Sequence, residues 1–364
     1  MRIAILTIPL NANYGGILQA YALQTTLEHI GEHDVKVLDN PYLLKMPPTI
    51  LRPFVYATRL IGRKLGVYSG NIKKEEGKNT YCANTYHFVH ENIHEYYINK
   101  LSDIPKERFD AIVVGSDQIW RSYFFHLYFG EMSDAFLRFT NGWNIKRIAY
   151  APSFGVEKWE YSEAETEECK KYIKQMDAVS CREIEGVNMC KEYLDSDTVK
   201  HVLDPTMLLT KADYQKFVTV SKEKTGKLLV YVMDANNDKQ SLVDTIAKER
   251  SLTPASIYQA GVASPPSVEF WLQQFEDAEC VVTDSFHACV FSIIFGKEFI
   301  VYGNKNRGMS RFTSLLKMFG LEDRLVLSSD EYKSKQITSS IIEAQKKMEI
   351  LRSESIEWLK SALS

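Results

Sequence analysis

The sequence predicts an α/β fold: two Rossmann-like domains facing a cleft, followed by a C-terminal amphipathic helix. Three observations carry this reading. Short runs of branched apolar residues alternate with helical stretches through the first half of the chain. The alternation starts afresh near residue 227, and the segment from Tyr332 to about Ala362 has amphipathic helical spacing. At 364 residues, with domains of about 150 residues, the chain divides into 1–208, 209–331 and a terminal helix at 332–364.

In the first domain, "RIAILTI" (Arg2–Ile8) reads as a buried parallel strand. A polar loop with Gly15 and Gly16 leads into a helix whose apolar positions include Ile17, Leu18, Ala22 and Leu27. Gly31 stops that helix, and Val35–Leu38 completes a βαβ unit. Further strands are predicted at Asp110–Val114, Arg147–Ala151, Ala178–Cys181 and His201–Leu203. In the second domain, Lys227–Asp234, Ala255–Tyr258, Cys280–Asp284 and "EFIVYG" (Glu298–Gly303) read as strands. Helices are predicted between them at Lys239–Arg250, Val268–Phe275 and Ala288–Phe295.

Composition narrows the function classes. A formal charge of −3, without stacking or base-reading motifs, excludes a general nucleic-acid binder, which needs a concentrated basic surface. Six scattered cysteines without a CxxC pair suit reduced thiols in a cytosol. The apolar run Ile3–Leu10 is too short for a secretory leader, and nothing approaches the roughly 20 apolar residues of a spanning helix. The expected location is therefore cytoplasmic, with peripheral contact at the inner face of the membrane as a variant. That variant rests on residues 40–74, which hold no acidic residue but seven basic ones, interleaved with apolar side chains. Such a segment, about 43–74, can lie on an anionic bilayer; it can equally pack on its own domain with its basic groups solvated.

Three polar sites follow strands, where ligands gather in open α/β sheets. "NANYGG" brings Gly15 and Gly16 to a helix N-terminus, where backbone can approach an anion, although the spacing is no dinucleotide fingerprint. "VVGSDQIW" places Gly115, Ser116 and Asp117 at the end of a second strand. "CVVTDSFHACVF" interrupts an apolar stretch with Asp284, Ser285 and His287. Each has a structural alternative: loop and cap chemistry for the first two, a helix cap plus a hydrogen-bonded core histidine for the third. No metal site is assigned. His87, His90 and His94 in "HFVHENIH" share a helical spacing but lack a recognised set of further ligands.

The stretch "TDSFHACVFSIIFGKEFIVY" resembles the hallmark of the polysaccharide pyruvyl transferase family. In order along the chain, "NYGGILQAYALQ", "FDAIVVGSDQIW", "RIAYAPSFG", "SCREIEGV", "VLDPTMLL" and "SRFTSLLKMFGLEDR" resemble its other blocks. The likeness spans roughly residues 1–325 and fails over about 40–105, an insertion where acceptor preference is expected to lie. It implies a GT-B-like pair of domains. The implied activity transfers a pyruvyl group from phosphoenolpyruvate to two hydroxyls of a glycan sugar, often lipid-linked, in capsule, exopolysaccharide or cell-wall polymer synthesis. Phosphoenolpyruvate is then donor substrate, and no cofactor is expected.

On the same resemblance, His287 contacts the donor or transfers protons, and Asp117 binds acceptor hydroxyls or serves as base. Arg182 in "SCRE" holds phosphate or carboxylate; its alternative is a surface salt bridge with Glu183 or Glu185. Arg307 and Arg311 are further anion ligands, and Asp284 caps the following helix and orients the site. Many relatives place an arginine two residues before the histidine, where this chain has Ser285, so one of the three arginines must take that duty. The rival readings are a GT-B-type glycosyltransferase using a nucleotide sugar and a non-catalytic glycan-binding protein of the same fold.

Overall fold

The computed structural model describes residues 1–39, 53, 57–58, 82–220, 225–257, 264–303 and 308–364. The basic segment 43–74 and Arg307 lie outside them, apart from residues 53, 57 and 58.

Two parallel sheets form the framework. The first contains β1 (Arg2–Leu6), β2 (Asp34–Asp39), β3 (Glu95–Tyr97), β4 (Ala111–Val114), β5 (Lys146–Ala149), β6 (Ala178–Cys181) and β7 (Lys200–His201). Their spatial order is β3-β2-β1-β4-β5-β6-β7. The second contains β8 (Lys227–Tyr231), β9 (Thr253–Ser256), β10 (Cys280–Thr283), β11 (Glu298–Tyr302) and β12 (Leu325–Val326), in the order β12-β11-β10-β8-β9. Every pairing is parallel.

The central strands β1, β4 and β10 are buried on both faces beyond Arg2, which is why their runs are so apolar. In β1, Ile3 and Ile5 face one apolar cluster while Ala4 and Leu6 face another. The largest cluster joins the lobes: Ile3 and Ile17 of the first share it with Trp271 and Phe291 of the second and Leu359 of the terminal helix. At the seam Tyr14 stacks on Trp271, centroids 5.4 Å apart, and donates its hydroxyl to the Pro266 carbonyl at 2.8 Å.

Chain order reverses between β1 and β4 in the first sheet and between β8 and β10 in the second. Loops at the carboxyl ends of such strand pairs part in opposite directions and leave a crevice. The three polar sites foreseen from sequence lie at these two switch points.

Two local expectations need correction. Gly15 and Gly16 sit in the first turn of the Tyr14–Gly31 helix rather than in the preceding loop. The predicted helix from Tyr332 is interrupted: one helix ends at Ser334, and the next, Ile341–Leu363, starts after the Ser340 cap. Between them, Thr338 and Ser339 donate backbone N–H bonds to Asp323, and Arg324 holds the Ser339 carbonyl. Hydroxyl residues favour such local bonding over helix continuation. The long terminal helix packs on the helices at 14–31, 286–295 and 309–319 and thereby spans both lobes. Among the described residues no helix is long and apolar enough to cross a membrane.

Candidate active site

The site is built around Asp204, which follows β7 and is 2% exposed. Its Oδ1 accepts bonds from the Thr206 N–H and hydroxyl, at 2.9 and 2.6 Å. Oδ2 accepts from Gln19 Nε2 at 2.6 Å and Arg182 Nη1 at 3.0 Å. The same oxygen lies 3.9 Å from His287 Nε2, which β10 and the Phe286–Phe295 helix bring in from the second lobe.

Arg182 extends from the end of β6 into this interior, not onto the surface. Its Nε donates to Glu183 at 2.7 Å, and the paired side chains are 2% and 4% exposed. Its guanidinium carbon stands 4.4 Å from the centroid of the Phe286 ring. Arg311, in the Met309–Phe319 helix, approaches the same ring at 6.0 Å, so one aromatic ring lies beside two cations. Among the described residues, Arg182 Nη2 and His287 Nε2 are buried without a hydrogen-bond partner. Buried polar groups are ordinarily satisfied, and the side chains that carry these two atoms approach the same Asp204 oxygen.

The charges are tuned by these neighbours. Burial pushes the His287 imidazole below its usual value; Asp204 and Asp117 pull it up, and Arg182 and Arg311 press it down. Burial also opposes the charge of Arg182, but Glu183 and Asp204 outweigh it and hold the guanidinium above its ordinary range. Arg311 is lowered to about 10 by burial and then by Arg182, and stays cationic at neutrality. Asp204 is held below the usual carboxylate range: burial raises it, but Arg182, His287 and the Thr206 bonds prevail.

The first switch point supplies the opposite wall. Asp117 has φ of 51°, a left-handed conformation that aspartate adopts more readily than most residues. Its Oδ2 accepts from Asn13 Nδ2 at 2.9 Å, beside Gly16. A β-carbon on Gly15 would collide with the His287 ring, and one on Gly115 would collide with the Tyr150 carbonyl. The Ser116 hydroxyl is buried with no partner among the described residues. Backbone bonds tie the lobes nearby: Ser310 N–H donates to Glu157 at 2.8 Å, and Ile184 N–H to the Ser314 hydroxyl at 3.1 Å.

The fold thus gathers Gly15, Gly16, Asp117, Arg182, His287 and Arg311. Asp284 departs from the expected cap role. Its carboxylate does not cap the helix that follows; Oδ1 accepts from the Met233 N–H at 2.7 Å, and Oδ2 from Asp234 N–H at 3.1 Å and Lys239 Nζ at 2.7 Å. The helix cap is Ser285, which makes no side-chain cap bond. Asp284 instead ties together the two loops of the second switch point. His87, His90 and His94 pair separately with Glu91, Glu95 and Glu28. No cluster suited to a metal ion occurs among the described residues.

Sequence reasoning missed Asp204, Gln19 and Phe286. Two signals pointed to Asp204: an acid directly after a short strand, a pattern that ordinary turns share, and its place in "VLDPTMLL", one of the blocks that resemble the family.

The family model described as polysaccharide pyruvyl transferase matches residues 13–306. The chain belongs to the polysaccharide pyruvyl transferase family. No curated protein matches it significantly. Among solved structures, Arabidopsis thaliana UGT89C1 is similar at 8% identity and TM-score 0.51, over 100% of this chain and 99% of that one. The glycotransferase of kitacinnamycin has 11% identity and TM-score 0.49, over 99% and 97%. A UDP-GlcNAc 2-epimerase from Neisseria meningitidis, bound to UDP-GlcNAc, has 9% identity and TM-score 0.47, over 100% and 94%. At such identity the likeness to UGT89C1 is one of fold, and the fold of this chain is GT-B-like.

Proposed function

We propose that the protein transfers a pyruvyl group from phosphoenolpyruvate to two hydroxyls of a glycan sugar, forming a cyclic ketal and releasing phosphate. The observation that carries this reading is that Arg182 and His287 approach one Asp204 oxygen while Arg182 Nη2 and His287 Nε2 stay buried and unpartnered among the described residues, with a second cation, Arg311, on the Phe286 ring beside Arg182. A donor bearing phosphate and carboxylate needs clustered guanidinium groups, whose planar forks match both anions. It also needs a proton-transfer group next to them, and histidine is suited to that work.

In the chemistry this implies, a proton adds to C3 of the enol as the carbon–carbon π bond breaks, leaving C2 electrophilic. A first acceptor hydroxyl bonds to C2 and gives its proton to a base. The C2–O bond to phosphate then breaks, and a neighbouring hydroxyl closes the ketal as its proton leaves. His287 and Asp117 are the residues proposed for proton transfer and acceptor contact, and Arg182 and Arg311 for holding the anions. Arg307 is a further candidate outside the described residues. A lipid-linked acceptor would bring the enzyme to the inner face of a membrane, for which the basic segment 43–74 is suited. Exopolysaccharide, capsule or cell-wall polymer synthesis is the setting that fits such an acceptor.

The test is phosphate release from phosphoenolpyruvate across a panel of free and lipid-linked glycans. Thermal melts with phosphoenolpyruvate or with nucleotide sugars run alongside it. A ligand at 100 times its Kd stabilises by about 2.7 kcal/mol. Stabilisation by nucleotide sugars alone would favour glycosyl transfer; absence of phosphate release with every acceptor would favour a binding protein.

A further inference from the structure

We propose that Asp204 is a positioning residue of this site: one carboxylate oxygen clamps the Arg182 guanidinium and faces the Nε2 edge of His287, so that cation placement and imidazole tautomer are set by a single group. The inference rests on the pyruvyl-transfer reading of the cleft and adds a residue to it.

The geometry is specific. Asp204 is anchored through Oδ1 by the Thr206 N–H and hydroxyl, which fixes the carboxylate plane. This leaves Oδ2 to Gln19, to Arg182 and to the 3.9 Å approach of His287. Gln19, Arg182 and Asp204 all come from the first lobe, whereas His287 comes from the second. At 3.9 Å the approach is longer than a hydrogen bond. A shift of about 1 Å between the lobes would bring Nε2–H to bonding distance of Oδ2. A carboxylate facing Nε2 favours the tautomer with hydrogen on that nitrogen and raises the proton affinity of the ring. The other charged groups acting on the ring are Asp117 after β4, Arg182 after β6 and Arg311 from the Met309–Phe319 helix. Of these groups and Asp204, Asp204 is the acid that also holds the principal cation.

The experiment is histidine NMR titration of the full-length protein, with His287 assigned from the His287→Gln variant, beside pH profiles of kcat/KM for phosphate release. In the parent protein, ring nitrogen shifts should report hydrogen on Nε2. Asp204→Asn should lower the His287 titration midpoint by about 1 pH unit, because an opposing charge at this range typically contributes that much or more. The limb of the pH profile belonging to His287 should move equally toward acid, and Asp204→Glu should restore part of the shift. A folded Asp204→Asn protein with an unchanged midpoint would overturn the proposal.

Should Asp204→Asn not fold, Gln19→Met decides the matter. Gln19 is fully buried, and its carbonyl oxygen has no partner among the described residues, so an apolar replacement is tolerable there. Removing its amide donor leaves Oδ2 with one competitor fewer. The His287 midpoint should rise; an unmoved midpoint in Gln19→Met overturns the proposal. If the midpoints move as stated while no acceptor yields phosphate, the pyruvyl-transfer reading fails and the positioning role stands.

Discussion

Gly15 and His287 meet across the two lobes, the imidazole occupying the space that a β-carbon on Gly15 would fill. Gly15 has ordinary helical backbone in the first turn of the Tyr14–Gly31 helix, so glycine is required there by proximity rather than by conformation. The contact holds the ring beside Asp204 and against the end of a helix that favours anions.

Gly15→Ala should therefore displace the ring without disturbing the helix. Misplacing a reacting group by about 1 Å costs about 10²-fold in rate. Phosphate release should fall by that factor while the melting temperature changes by only a few degrees. Full turnover in Gly15→Ala would mean that His287 works from some other position.

Arg182 is ion-paired to Glu183 and Asp204 and is proposed to hold the donor, and two substitutions separate these roles. Arg182→Lys keeps a charge between Glu183 and Asp204 but replaces the fork by one ammonium, which cannot grip both acids and an anion together. The KM for phosphoenolpyruvate should rise about tenfold or more, the loss of a charge-assisted bond worth roughly 1.5–3 kcal/mol. Arg182→Ala strands two buried carboxylates and should cost about 3–5 kcal/mol in urea unfolding. An unchanged KM in Arg182→Lys would remove Arg182 from the donor site.

What the sequence disclosed and what it withheld follow a physical line. β1 and β10 were legible because strands covered on both faces must be apolar throughout, and the polar residues after them stand out for that reason. His287 and Asp117 were readable as residues placed where strands end. Asp204 was not, since its meaning comes from Gln19 and His287, 185 and 83 positions away along the chain. The cap role expected of Asp284 was misjudged for the same reason: its partner Lys239 lies 45 residues earlier. The break before Ile341 was hidden because amphipathic spacing runs on through Thr338, Ser339 and Ser340, although Thr338 and Ser339 bond to Asp323 and the Ser340 hydroxyl accepts from the Glu343 N–H to start a new helix.

Asp284 and Lys239 form a buried ion pair whose side chains are 0% and 6% exposed, with Nζ and Oδ2 2.7 Å apart. Removing one member strands a charge in the interior, whereas removing both need not. Lys239→Met should lower the unfolding free energy by about 3–5 kcal/mol in urea. Lys239→Met combined with Asp284→Asn should recover most of the loss, since the asparagine carbonyl can still accept from the Met233 or Asp234 N–H. Additive losses in the double variant would show that the two residues do not interact energetically.

Acid should destabilise the protein in two stages. His287 titrates lower in the folded protein than in the unfolded chain, chiefly through burial, so the unfolded chain binds more protons between the two values. The stability contributed by the neutral ring is complete above about pH 6.5 and is lost as pH falls through the folded value. Asp204, also held low, contributes above about pH 3.9 and fails below it. Urea unfolding of the parent at pH 7.5, 6 and 5 should show a decline whose share from His287 is at most about 1.4 kcal/mol per pH unit. His287→Gln should remove this share and leave the carboxylate stage in place. Parallel curves for parent and variant between pH 7.5 and 5 would mean that the ring titrates as it does in water, and that the desolvated imidazole on which the site depends is absent.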